Sequence, residues 1–235
     1  MIPLALLACG VALDDAGRST PRPLYPKLDP HTLPHSDELP RPRVRPDPAQ
    51  AAADAAIISR IAHRPGPHLE VVLLDDPLSP SQIQAWLEAR ASTPVENRPL
   101  DVTRHTPDKP AGGVAWTSQQ RQGPGFISGW AEFACSEYEA ACVPQAMLLE
   151  ASPEARVIDL DEALALGGRG VTSRVSGREI MDWERLARAG VDAVHYSMES
   201  AYLEGWDAES TVWLSPSKLR AVRLVALDRG QLVRG

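Results

Sequence analysis

Apolar and polar positions along the chain change period repeatedly, and each change marks an element. Leu69 to Leu74 reads as an apolar run bounded by turn residues, which predicts a buried strand. Ser79-Pro80-Ser81-Gln82 follows with a capping serine, proline at the first helical position and glutamine at the third. That start predicts a helix through Arg90 whose apolar face is Ile83, Trp86 and Leu87. Leu100–His105 reads as a strand running into the turn Thr106-Pro107-Asp108-Lys109-Pro110, and Gly112-Gly113 opens a second strand, Val114 to Ser118. Ser128 to Ala141 reads as a helix with Trp130 and Phe133 on one side.

Short elements dominate the rest. Ala146–Glu150 and Arg156–Leu160 read as strands around Ser152-Pro153, and Asp161–Leu166 as a helix closed by Gly167-Gly168. Arg169–Gly177 is polar and glycine-containing and reads as a mobile loop. Ile180, Trp183, Leu186 and Ala187 recur at helical spacing up to Gly190, where glycine accepts a left-handed cap. Val191–Tyr196, Ser210–Leu214 and Arg220–Leu227 read as strands, the last two joined by the turn Ser215-Pro216-Ser217-Lys218. Many short strands with helices between them, and no regular βαβ alternation, predict an α+β fold.

The first quarter of the chain differs in character. Leu4 to Leu13 reads as a strand; its Leu6-Leu7-Ala8-Cys9 looks like a lipid-attachment box, but a secretory signal also needs a basic start and a longer apolar run. Prolines crowd the stretch from Pro21 to Pro48 and exclude helix interior or central strand there. Tyr25, Leu28, Leu33 and Leu39 suit an arm laid over the domain, and a flexible linker is the other reading. Ala49 to Ala62 is alanine-rich and reads as a helix ending before Arg64-Pro65-Gly66-Pro67. The expected organisation is an N-terminal strand in residues 1–20 and a proline-rich arm or linker in 21–55. A helix-strand-helix lead-in occupies 56–99 and the core 100–235.

Composition narrows the class. A hydrophobic content of 43% supports a packed core, and a formal net charge of -7 disfavours a generally basic surface tracking nucleic acid. Cys9, Cys135 and Cys142 form no disulfide framework, so a reducing, cytoplasmic setting is expected. No apolar run is long enough to span a bilayer, so no membrane partner is expected. There is no glycine-rich dinucleotide fingerprint, no phosphate loop, no Cys/His spacing of a zinc site and no serine elbow.

Three segments carry candidate chemistry: Val102-Thr103-Arg104-His105-Thr106, Trp116-Thr117-Ser118 and Trp206-Asp207-Ala208-Glu209 opening Ser210–Leu214. Together with Ala-Gly-Val-Asp-Ala-Val-His-Tyr and Glu-Ser-Thr-Val-Trp-Leu-Ser-Pro-Ser-Lys-Leu-Arg-Ala-Val, the order of these segments resembles the C-terminal half of ADP-ribosyltransferase domains, of the phage or bacterial-toxin type. The resemblance covers roughly Leu100 to Leu227. It implies two small antiparallel sheets forming a cleft for NAD, with inserted helices. It implies that His105 or Arg104, with Thr106, orients the nicotinamide side of NAD; the other reading of the pair is a surface salt bridge. Thr117 and Ser118 match two positions of a Ser-Thr-Ser-like strand whose hydroxyls brace the catalytic glutamate, while Trp116 departs from it and suits stacking on nicotinamide.

Glu209 stands where the family carries that glutamate, Asp207 where some members orient the acceptor, and Trp206 near the pocket. The implied reaction moves ADP-ribose from NAD, a substrate here, to an acceptor: protein, nucleobase or small molecule. Water in the acceptor's place makes an NAD glycohydrolase, and loss of NAD binding leaves an interaction or structural module. His195, on a predicted strand, reads as a satisfied core histidine, and Trp130, Trp183 and Trp213 as core or cleft walls.

Overall fold

A computed structural model describes residues 10–13, 19–22, 48–74, 78–97, 109–137, 144–165, 171–175, 178–197 and 208–233. In chain order the strands are β1 Gly10–Leu13, β2 Ser19–Arg22, β3 Ala62–His63, β4 Leu69–Leu74, β5 Glu96–Asn97, β6 Pro110–Gly112 and β7 Ala115–Gln119. β8 Gln145–Ala151, β9 Val157–Asp159, β10 Thr172–Val175, β11 Arg178–Met181, β12 Ala193–Tyr196, β13 Ser210–Trp213, β14 Leu219–Asp228 and β15 Gln231–Leu232 complete them. The helices are α1 Pro48–Ile61, α2 Pro80–Ala91, α3 Gly129–Glu137, α4 Leu160–Ala165 and α5 Trp183–Arg188, with a 3-10 turn at Pro216–Lys218. The architecture is mixed α+β. None of the described helices is long and apolar enough to cross a membrane.

One nine-stranded sheet runs in the order β15-β14-β8-β4-β7-β13-β12-β9-β3. Every pairing in it is antiparallel except that of β12 with β9. The expected pair of small sheets is therefore a single ladder, and its join is β7. Ala115, Trp116 and Thr117 pair with β13 on one edge, whereas Ser118 and Gln119 pair with β4 on the other. Beyond that short overlap Val72, Leu73 and Leu74 of β4 pair with β8, so among the described strands the two halves of the sheet share β7 alone.

Side-chain alternation along the strands feeds separate cores. Val72 and Leu74 pack with Ile83, Trp86 and Leu87 of α2 and with Trp213. Val71 and Leu73, on the other face of β4, pack with Ile127, Ala131 and Ala134 at α3. A third cluster joins Val194, Val212 and Ile158 to Ile58 of α1, Leu160 of α4, and Trp183 and Leu186 of α5.

Several local expectations need correction. Arg169–Gly177, expected as a mobile loop, contributes β10, which pairs with β11 in an antiparallel hairpin, Thr172 opposite Met181. Ile180 belongs to β11 rather than to the following helix, which starts after its cap Asp182. β2, β3, β5, β6 and β15 were not expected, β2 running into the start of the proline-rich stretch at Pro21; each is two to four residues long, too short for a periodic pattern. The predicted strand Leu100–His105 and most of the proline-rich arm lie outside the described residues.

Candidate functional site

The site begins where the β7–β13 ladder stops. Thr211 pairs with Thr117, and two more residues of the same antiparallel register would set 209 against 119. Instead the Gln119 backbone N–H donates to Glu209 Oε1 at 3.0 Å. The Ser118 hydroxyl donates to Glu209 Oε2. A side-chain carboxylate thus takes the place of a main-chain acceptor at the mouth of β13.

Three further contacts fix that carboxylate. Ser118 Oγ accepts the Trp130 N–H at 3.3 Å from the first turn of α3, which commits the serine proton to Glu209. Trp130 Nε1 donates to Ser210 Oγ at 3.0 Å, and Ser210 Oγ donates to the Ala208 carbonyl at 2.9 Å, holding the segment on either side of Glu209. Gly129 allows the approach: a β-carbon there would lie 2.9 Å from Glu209 Cβ and 3.0 Å from Oε2.

On β12, His195 lies opposite Thr211 of β13. Its Nδ1 is 3.2 Å from Thr211 Oγ1 and 3.6 Å from Glu209 Oε1. Thr211 Oγ1 in turn donates to Glu70 Oε1 at 3.3 Å, and Thr117 Oγ1 donates to Glu70 Oε2 at 2.8 Å. Trp213 Nε1 donates to Thr117 Oγ1 at 3.0 Å. His68 Nε2 reaches Glu70 Oε1 at 3.0 Å, and its ring stacks against Trp213 with centroids 6.3 Å apart. Glu70 has no exposed surface, so an unpaired carboxylate there would cost several kcal/mol. Four neighbouring groups meet its two oxygens or the hydroxyl that serves them.

The charges follow from these contacts. Burial pushes the Glu209 carboxyl above its ordinary range, opposed by the Gln119 N–H, the Ser118 hydroxyl and the nearby His195. Burial lowers His195, against the attraction of Glu209, Asp159 and Asp161. His68 is raised, chiefly by its hydrogen bond to Glu70. The arrangement sets one imidazole beside Glu209 at the strand mouth, where burial disfavours its charge, and another on Glu70 inside, where the hydrogen bond favours it.

Of the residues singled out from sequence, Ser118 and Glu209 are brought into direct contact. Thr117 is not part of that contact: strand alternation turns it to the opposite face, where it is buried against Glu70. Trp116 is half-buried against the third core, with the Lys109 ammonium 5.6 Å from its ring centroid. Arg104, His105, Thr106, Trp206 and Asp207 lie outside the described residues. Glu70 and His195 also belong to the site, Glu70 from a strand whose pattern reads as apolar and His195 from one where it reads as a core histidine. The one signal for Glu70 is a lone carboxylate in an otherwise apolar run. No cluster of three or more His, Cys, Asp or Glu side chains able to hold a metal occurs among the described residues.

Comparison of the chain with protein-family models, with curated proteins and with solved structures gives no match.

Proposed function

We propose that this chain is an NAD-dependent ADP-ribosyltransferase with an ADP-ribosyltransferase-like cleft, in which Glu209 stabilises the transition state. The observation that carries the reading is the clamp on Glu209, whose two carboxylate oxygens are held by the Ser118 hydroxyl and the Gln119 N–H. A brace of that kind, at the mouth of a strand and from the neighbouring strand's hydroxyl, is what the order of motifs leads one to expect.

The chemistry asks for such a group. Breaking the bond between nicotinamide and C1′ of its ribose builds positive charge on C1′ and the ring oxygen. A fixed carboxylate stabilises that charge more than it stabilises the neutral sugar, so it acts on turnover rather than on binding. Nicotinamide leaves with the bonding pair and needs no acid. In this reading Asp207, Trp206 and one of Arg104 and His105 complete the pocket, and the acceptor is a protein, a nucleobase, a small molecule or water.

Glu209→Gln tests the proposal. It keeps size and an acceptor but removes the charge, so NAD turnover should fall by about 10²–10³. NAD affinity should change little, and the melting temperature should hold within a few degrees. Nicotinamide release, NAD titration and thermal melting read the three quantities. Turnover that survives the substitution would exclude Glu209 as the stabilising carboxylate. Incubating the wild type with labelled NAD and a cell lysate, with protein, RNA and DNA recovered separately, identifies the acceptor class.

A further inference from the structure

His195 and Glu70 have no part in the reading so far, yet a continuous line of polar contacts joins them to Glu209. It runs from His68 to Glu70, from Glu70 through the Thr211 hydroxyl to His195, and from His195 to Glu209. Proton positions along it are constrained by donor and acceptor capacity. A Glu70 carboxylate only accepts, so the Thr211 proton points to it. Thr211 Oγ1 can then face His195 only as an acceptor. Glu209 Oε1, the other oxygen near Nδ1, is also an acceptor. Both partners therefore require the proton of neutral His195 on Nδ1, and Nε2 carries the lone pair.

We propose that His195 takes the proton of the incoming acceptor during ADP-ribosyl transfer, and that Glu70, through Thr211, is the positioning residue that holds the imidazole in the tautomer able to do so. The proposal rests on the reading of Glu209 above. In the step, the acceptor's lone pair forms the bond to C1′ and the bond from C1′ to the nicotinamide nitrogen breaks. The electron pair leaves with nicotinamide. The acceptor's proton moves to Nε2, so an imidazolium forms beside Glu209.

The surroundings suit that cycle. Burial keeps the ring neutral before the step, and the carboxylates that face it, Glu209, Asp159 and Asp161, attract the charge that appears after it. His68, when protonated, acts on the ring in the opposite sense, and Glu70 lies between them. The His195 side chain keeps 13% of its surface exposed, so it is reachable from solvent, whereas Glu70 at 0% is not.

Two measurements on the full chain decide the matter. Nitrogen NMR of histidine-labelled wild type should show Nδ1 of His195 as the protonated ring nitrogen and Nε2 as the bare one. In Glu70→Gln, where the amide can also donate, the Nε2-protonated form should appear. A wild type with its proton on Nε2, or a Glu70→Gln spectrum unchanged from wild type, overturns the positioning role, and neither result depends on NAD.

For the proton transfer the informative variant is His195→Asn, whose amide NH₂ occupies the Nδ1 position and preserves the donor to Thr211 and Glu209 while removing the base. Loss of a general base should lower turnover by about 10²–10⁴ at neutral pH with the KM for NAD nearly unchanged. The share of the acid limb that His195 contributes should disappear, leaving the limb set by Glu209. A variant as fast as a wild type that consumes NAD overturns the proton-acceptor role and leaves the reading of Glu209 standing. A wild type that consumes no NAD, alone or with lysate, overturns that reading and the transfer step together.

Discussion

At the scale of single residues the site depends on how closely a backbone can approach Glu209. Gly129→Ala places a methyl group 2.9 Å from Glu209 Cβ and 3.0 Å from Oε2, inside van der Waals contact with both. The carboxylate must shift away from Ser118. Overpacking of that kind costs about 1–3 kcal/mol, while replacing glycine in a helix returns up to about 1 kcal/mol. Stability should therefore drop modestly and NAD turnover should drop much more, a separation read from melting and nicotinamide release on the same preparations. A second prediction concerns pH. Because burial raises the Glu209 carboxyl, turnover should fall on acidification at a pH above the ordinary glutamate range. Ser118→Ala removes a donor that holds the ionised form, so the same acid limb should move to higher pH.

Ser118 and Glu209 were legible in the sequence because strand-forming residues flank each of them and their order along the chain is informative. Glu70 was not, because its meaning lies in partners 47 and 141 residues away, Thr117 and Thr211. His195 was read as satisfied by its surroundings. It is, through Thr211, but the same nitrogen lies 3.6 Å from Glu209, and no spacing in the sequence announces a contact across two strands.

At the scale of elements, the ones read well are those whose ends carry their own chemistry. Ser79 and Gln82 form the expected reciprocal cap of α2, each side chain bonded to the other's backbone N–H. Gly190, at a φ of +75°, ends α5 with its N–H on the Ala187 carbonyl and the Val191 N–H on that of Leu186, a Schellman closure. The β10–β11 hairpin was missed because a polar, glycine-containing segment carries no alternation, and its register comes from main-chain pairing. Asn97 was also unreadable. It caps α5 from a distance, its Oδ1 accepting the Trp183 N–H at 2.8 Å and its Nδ2 donating to Asp182 at 3.0 Å. Ser79→Ala should cost about 1 kcal/mol by loss of the cap, seen as a lower urea midpoint at unchanged slope. NAD turnover should be untouched, since α2 packs on the face of β4 away from α3 and has no contact with Glu209 among those described.

At the scale of the whole molecule, β7 alone among the described strands is shared by the two halves of the sheet, and the buried Glu70 ties those halves together. It sits on β4, while Thr117 and Thr211 reach it from β7 and β13. His68, just before β4, bonds Glu70, and that contact favours its protonated form, which makes global stability depend on pH in a defined direction. The folded-state pKa of His68 lies above its unfolded value near 6.5, chiefly through the bond to Glu70. Between those two values the native state binds more proton than the unfolded one, so stability falls as pH rises. The contribution is complete below about 6.5 and lost as pH climbs through the raised value. His195 acts oppositely and in a lower window: its depressed folded pKa makes protonation unfavourable, so its contribution is lost as pH falls from its unfolded value through the folded one. The two histidines therefore act with opposite signs, His195 below its unfolded value and His68 above its own, so their contributions to urea unfolding should decline on both sides of the range in which imidazoles titrate. His68→Gln separates them: its amide still donates to Glu70 but cannot titrate, so the alkaline decline should disappear and the acid decline remain. An alkaline decline that survives His68→Gln would mean that some other group, and not the His68–Glu70 pair, couples the two halves of the sheet to pH.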